Sequence, residues 1–211
     1  AITSAVLKLV PTPDEIGMGL LFFDAIPEAM QAAMELRDLN PGAVEFLDRI
    51  LLDQTRGQRE FQTVRDLLEL DARPAAGVLV VEFYGDVLDR LAAMDAKPLG
   101  TRKKILETLA EIHQVWALRK AGLSLLTSCR GNAKPVTCIE DTAVRPQDLP
   151  AYYAELSGLI RAMGLNASFY GHAAAGLLHV RPVLDLRSAE DLKKFRTITQ
   201  DVAALVKHFK G

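Results

Sequence analysis

The sequence predicts an α+β fold, ferredoxin-like and built on a repeated unit, in which an antiparallel sheet is covered by helices. Three observations lead there. Apolar, β-branched runs of strand length recur along the chain, most plainly Ile16 to Phe23 and Gly77 to Gly85. Helical-period segments separate them in the order strand, helix, strand, strand, helix, seen twice. No Gly-x-Gly-x-x-Gly follows a strand and no Gly-Lys-Ser/Thr loop occurs, so a doubly wound nucleotide-binding sheet has no support.

The elements follow in order. Val6 to Val10 alternates apolar residues with Lys8 and meets Pro11 and Pro13, so a first strand and a Pro-rich connection to the strand at Ile16 to Phe23 are predicted. From Pro27 to Leu39, Met30, Ala33, Met34 and Leu36 fall at helical spacing, with Pro27 suited to the first turn and Asn40-Pro41-Gly42 as the stop. Val44 to Leu47 returns as a strand. The charged stretch from Leu52 to Asp71 reads as an exposed connection leading into an amphipathic helix over Phe61 to Leu70. After the strand at Gly77 to Gly85, helices are predicted over 86–95 and 101–117.

The second set has a strand over Pro135 to Ile139, a helix over Gln147 to Met163, and strands at Ala167 to Tyr170 and Leu177 to Arg181 flanking a turn of small residues. A helix over Ser188 to Lys207 closes the chain, with Ser188 as N-cap and Asp191 at the third helical position.

Composition limits function. The 211 residues, 49% hydrophobic and 25% charged, are enough to bury about 70% of the unfolded chain's surface in one large domain or two small ones. Twenty-five Lys and Arg stand against 27 Asp and Glu, so no electrostatic footprint points to nucleic acid or to anionic lipid. No apolar run approaches the ~20 residues of a spanning helix. Cys129 and Cys138, without an export signal, read as reduced and cytosolic.

The chemistry concentrates in Tyr170-Gly-His172-Ala-Ala-Ala-Gly-Leu-Leu-His179-Val-Arg181. A hairpin whose loop pairs residue 172 with residue 177 puts His172 and His179 on one face, because strand side chains alternate with period two. Diagonal imidazoles can share one metal ion or one substrate oxygen. His113, on a polar helix side, and His208, near a helix C-terminus, take structural roles. Arg119, read at the end of a helix beside the lone Trp116, either presents a planar fork to a carboxylate or complements the helix dipole. Glu140 and Asp141 point opposite ways if extended, so they read as turn formers rather than a catalytic pair.

Taken together, Trp116-Ala-Leu-Arg119, Ile139-Glu-Asp-Thr-Ala-Val144, Tyr170-Gly-His172-Ala and Leu178-His-Val-Arg-Pro182 resemble the C-terminal substrate domain of FAD-linked oxidases, the glycolate oxidase and D-lactate dehydrogenase group of the vanillyl-alcohol oxidase superfamily. Ile2 to Pro13 and Glu45-Phe-Leu-Asp48 extend the resemblance over nearly the whole chain. It implies a separate upstream domain holding most of FAD, while this part caps the flavin and binds a 2-hydroxy acid of glycolate or D-lactate type for hydride transfer. Arg119 would hold the substrate carboxylate. His172 and His179 would sit at the hydroxyl-bearing carbon as catalytic residues and, as in several members, as ligands of a divalent metal.

The sequence departs from the family's Gly-His-x-Gly-Asp-Gly-Asn-x-His turn: Ala174, Ala175 and Leu177 replace its Gly, Asp and Asn. In this it is similar to members joined to a downstream iron-sulfur electron-transfer region. The family's third, acidic ligand follows a helix like the last one here, beyond Gly211. Residues 1–211 are therefore expected to be one substrate domain excised from a longer cytoplasmic chain, peripheral to the inner membrane through its partners, and to bind no flavin and show no activity alone. The rival readings are a non-enzymatic ferredoxin-like module for ligand binding or dimerisation, and a metal-dependent hydrolase on His172 and His179.

Overall fold

The computed structural model describes residues 2–9 and 11–211. Its strands are β1 (Ile16–Phe23), β2 (Ala43–Asp48), β3 (Gly77–Tyr84), β4 (Arg102–Leu106), β5 (Lys134–Pro135), β6 (Ile139–Ala143), β7 (Ala167–His172) and β8 (Leu177–Leu184). Its helices are α1 (Ile26–Leu36), α2 (Arg49–Gln54), α3 (Gln62–Leu67), α4 (Val87–Ala96), α5 (Leu109–Thr127), α6 (Leu149–Ala162) and α7 (Ala189–His208).

The strands form one sheet in the order β4-β1-β3-β2-β7-β8-β5, with β6 also paired to β8, and every pairing is antiparallel. The predicted mixed α and β class with an antiparallel sheet is therefore present. Helices cover both faces. Alternate residues Leu21, Phe46, Leu79, Val81, Phe169 and Val180 pack under α1, α4, α6 and α7, whereas Met18, Leu20, Leu47, Val78 and Val80 pack under α2, α3 and α5.

Four expectations are corrected. Residues 6–9 form no strand: Val6, Leu7 and Leu9 are exposed and meet no neighbouring strand, so the ladder that would hold them extended is not made. Val10 lies outside the described residues. The helix predicted over 101–117 is split. Arg102–Leu106 is the edge strand β4, paired with β1 from Phe22↔Arg102 to Met18↔Leu106. An edge strand needs little burial, and its charges are spent locally: the Arg102 guanidinium lies 3.3 Å over the Phe22 ring and the Lys103 ammonium caps carbonyls at the end of α4. A capping box between Thr108 and Glu111 then starts α5, which continues to Thr127 and places Arg119 mid-helix, away from any terminal dipole. Finally, the strand predicted over 135–139 is two short strands, β5 and β6, both paired with β8.

The two halves of the sheet meet at β2 and β7 through three residue pairs, Glu45↔His172, Phe46↔Gly171 and Leu47↔Tyr170. Asp48 extends the seam. Its carboxylate caps α2 by accepting from Leu51 N at 2.9 Å, and it accepts from Ser168 Oγ at 2.8 Å and Phe169 N at 2.7 Å across the junction. Burial outweighs these bonds and raises its pKa from 3.8 to about 6.

The folded protein thus holds the Asp48 proton more tightly than the unfolded chain does. Its protonation stabilises the fold fully below about pH 4, and that contribution, at most about 3 kcal/mol, is lost as pH rises through about 6. Urea unfolding of wild type and Asp48→Asn at both ends of this window should show a fall in stability with rising pH that is smaller in the variant. Equal pH slopes would contradict the assignment. Two glycines make a second pair of expectations. Gly176 closes the β7–β8 turn at φ +71, and a Cβ there would lie 2.3 Å from the Val144 carbonyl oxygen, so Gly176→Ala should cost about 1–3 kcal/mol. Gly158, inside α6 with nothing within 4 Å of a built Cβ, should gain about 0.5–1 kcal/mol as Gly158→Ala. Thermal unfolding of the two variants should move in opposite directions.

Candidate functional site

The β7–β8 register pairs Tyr170 with His179, and the four-residue loop 173–176 brings residue 172 opposite residue 177. His172 and His179 accordingly lie on one face, ring centroids 5.5 Å apart and nearly edge to face. Tyr170 shares that face, its ring centroid 4.8 Å from that of His179. Period two also puts Glu45 of β2 and Glu82 of β3 on this face, where β2 pairs with its neighbours.

The helix above them supplies the partners. Trp116 and Arg119, three residues apart on α5, point to the same side. Arg119 Nε donates to Glu45 Oε2 at 2.7 Å and its guanidinium lies 5.2 Å over the Tyr170 ring. Glu45 Oε1 meets His172 Nδ1 at 2.5 Å. Trp116 Nε1 donates to Glu82 Oε2 at 2.6 Å and the Tyr84 hydroxyl donates to Glu82 Oε1 at 2.5 Å, an interaction that pushes the Tyr84 pKa up to about 12. Two buried carboxylates are thereby satisfied, as burial demands.

On the far side of the histidines, Arg181 is buried and gives Nη2 to Tyr170 OH at 2.8 Å and to Glu140 at 2.9 Å. His179 Nδ1 lies 3.0 Å from Asp141 Oδ1 and 3.5 Å from Glu140 Oε2, but without hydrogen-bond alignment to either. Burial, and then the Arg119 and Arg181 charges, lower the His179 pKa against the pull of the two acids, so the ring is held neutral. The expectation that Glu140 and Asp141 face apart fails because the ladder slips between Ile139 and Thr142, with Asp141 at φ +48. This bulge turns both acids toward His179.

The three predicted site residues Arg119, His172 and His179 are therefore brought together, while His113 and His208 are exposed elsewhere. Cys129 and Cys138 are both free. Glu45, read only as part of the resembling segment Glu45-Phe-Leu-Asp48, and Glu82 were not expected at the site, yet each stands alone in an apolar strand run, Val44-Glu45-Phe46 and Val81-Glu82-Phe83. A lone acid at an alternating position of a buried strand has to be paired, and that is the signal for them. Glu140 and Asp141 are visible as acids, but the bulge that aims them is not.

Glu140, Asp141 and His179 offer ligand atoms within 4.8 Å of one another, and the unaligned, buried His179 Nδ1 is the donor such a set requires, so these residues fit a divalent cation. His172, with Nδ1 on a carboxylate and Nε2 free, has the oriented form of a metal-ligating imidazole. A dinucleotide pyrophosphate fits less well here: the first turns of α1, α4, α5 and α7 carry Glu28, Asp89, Glu111, and Glu190 with Asp191, which repel an anion.

The chain has relatives among known proteins. D-2-hydroxyglutarate dehydrogenase of Haemophilus influenzae is 30% identical over 224 residues, a match covering 100% of this chain and 22% of that protein. Glycolate oxidase subunit GlcD of Bacillus subtilis is 22% identical over 202 residues, covering 92% of this chain and 40% of that one. The chain thus spans about a fifth of the length of the dehydrogenase. Among solved structures, 4-ethylphenol oxidase from Gulosibacter chungangensis shares the fold, with a TM-score of 0.60 at 16% identity over 93% of this chain and 44% of its own. The family described as FAD linked oxidases, C-terminal domain, matches residues 12–211, and the chain belongs to that family.

Proposed function

We propose that this chain is the substrate-binding cap of an FAD-dependent oxidoreductase that oxidises a 2-hydroxy acid. The observation that carries the reading is the convergence of Arg119, His172 and His179 on one open sheet face. His172 is about half exposed, while His179 and Arg119 are only 14% and 12% exposed at their side chains. The names of the relatives, a D-2-hydroxyglutarate dehydrogenase and a glycolate oxidase subunit, support the substrate class.

Each residue has a defined task. Arg119 commits Nε to Glu45, which leaves its two Nη groups as a fork for the substrate carboxylate. His172, with Nδ1–H on Glu45, presents the Nε2 lone pair that takes the hydroxyl proton as the carbon loses hydride, and His179, a neutral ring beside it, lies against the same oxygen. FAD, when bound, would supply the hydride acceptor; a divalent metal on the His172 and His179 imidazoles, where bound, would occupy those lone pairs and make the hydroxyl more acidic in place of base catalysis by the rings. With Leu177 at the position of the family's Asn, orientation of the hydroxyl rests on the two histidines alone.

Most of FAD is held by another domain, consistent with the acidic helix starts and with the chain's 22% share of its relative, which also leaves room for an iron-sulfur region. No helix among the described residues is long and apolar enough to cross a membrane, in keeping with a cytoplasmic protein that reaches a membrane only through partners. We take the sheet as two ferredoxin-like units side by side: the order β4-β1-β3-β2 supports the first, and β6, β7 and β8 with α6 and α7 support a partial second, to which the short β5 adds at the edge of β8.

Anaerobic flavin reduction by the full-length, flavin-loaded oxidoreductase that carries this chain together with its FAD-binding domain, screened over 2-hydroxy acids with one and two carboxylates, tests the proposal. At least one acid should bleach the flavin. Replacing either His172 or His179 by Ala should lower kcat by about 10²–10⁴. Arg119→Lys should raise KM by about 10- to 100-fold with the fold intact, because an ammonium cannot reproduce the fork. No reduction by any acid, or wild-type kinetics in all three variants, would contradict it.

A further inference from the structure

We infer that Glu45 is a positioning residue: a single buried carboxylate that holds Arg119 with one oxygen and dictates the tautomer of His172 with the other. The inference rests on the proposed function for its catalytic meaning, but its structural content stands apart from turnover.

Glu45 occupies β2 between β3 and β7, opposite Val80 on one side and His172 on the other, and its side chain is 7% exposed. Oε2 accepts from Arg119 Nε at 2.7 Å and Oε1 contacts His172 Nδ1 at 2.5 Å. A carboxylate facing a guanidinium is ionised, and an ionised carboxylate only accepts. The proton between Glu45 and His172 must therefore sit on Nδ1. In a neutral ring this leaves Nε2 as the lone-pair nitrogen, the reverse of the tautomer a free imidazole prefers. One carboxylate thus sets both the spacing from the Arg119 fork to the imidazole and the atom with which that imidazole can act.

Glu45→Gln makes the claim testable with almost no change of volume. A Gln side chain has one acceptor and one donor end. Arg119 Nε–H can face only the carbonyl oxygen, so the amide NH₂ turns to His172. Nδ1 then becomes an acceptor and the ring proton moves to Nε2, which removes the lone pair from the working side. Glu82 is the control, since its partners Trp116 and Tyr84 have no tautomers to set.

Long-range ¹H–¹⁵N correlation of ¹⁵N-histidine rings in mildly alkaline buffer, where imidazoles are neutral, reads the tautomer directly. The exposed His113 and His208 serve as references. His172 should be Nδ1–H in the wild type and in Glu82→Gln, and Nε2–H in Glu45→Gln. In the flavin-loaded protein Glu45→Gln should also lose about 10- to 100-fold in kcat. A wild-type His172 in the Nε2–H form overturns the inference even if Glu45→Gln fails to fold, and so does a variant that retains Nδ1–H. If the tautomers behave as stated while no hydroxy acid reduces the flavin, the functional reading fails and this one stands.

Discussion

Three residue pairs between β2 and β7 join the two halves of the sheet, and the candidate site hangs on them. Glu45↔His172 is the outermost of the three, so the register that closes the sheet is the same register that brings the carboxylate to the imidazole. A slip of one residue would send Glu45 and His172 to opposite faces and leave both unpaired. Asp48 guards against that slip. Its three hydrogen bonds are made to α2 on its own side and to Ser168 and Phe169 across the seam, and they can be satisfied in one register only.

The two faces of the sheet solve different problems. Under α1, α4, α6 and α7 the face is apolar, and its packing supplies stability through area removed from water. Under α5 the apolar floor gives way toward β7 and β8 to a connected set of charges, Arg119–Glu45–His172 and Arg181–Glu140 with Tyr170 between the two arginines. Buried ion pairs of this kind add little net stability, because desolvation offsets the attraction. Their contribution is orientation: Arg119, His172 and Arg181 are each held by a carboxylate beside them, while the buried His179 Nδ1 is left without an aligned partner.

Much of this was legible in the chain. The strands β1 and β3 announce themselves as bounded β-branched runs, α7 by its Ser188 cap with Asp191 three positions on, and the shared face of His172 and His179 follows from alternation once the short turn is placed. The misreadings have one physical origin: signals that depend on partners far away in sequence. Arg102 to Leu106 looks helical because an edge strand buries only Leu106, and its charges hide the alternation. Past Arg119, α5 runs on with Gly122, Leu125 and Leu126 buried, Gly122 lying close to Leu51 and Tyr170, partners that are distant in sequence. The turn of Glu140 and Asp141 toward His179 depends on a slipped ladder with β8. Glu45 and Glu82 carried a readable sign, an acid alone in a buried strand, but the identity of the partner was set by α5 packing over the sheet.

The central claim is that this face receives a 2-hydroxy acid, and a crystal structure of the protein with such an acid bound tests it most directly. The account requires the carboxylate on the Arg119 guanidinium and the hydroxyl within hydrogen-bond reach of His172 or His179, with Arg119 still paired to Glu45. An acid bound elsewhere on the molecule, or on this face without touching Arg119 and the two imidazoles, would contradict it.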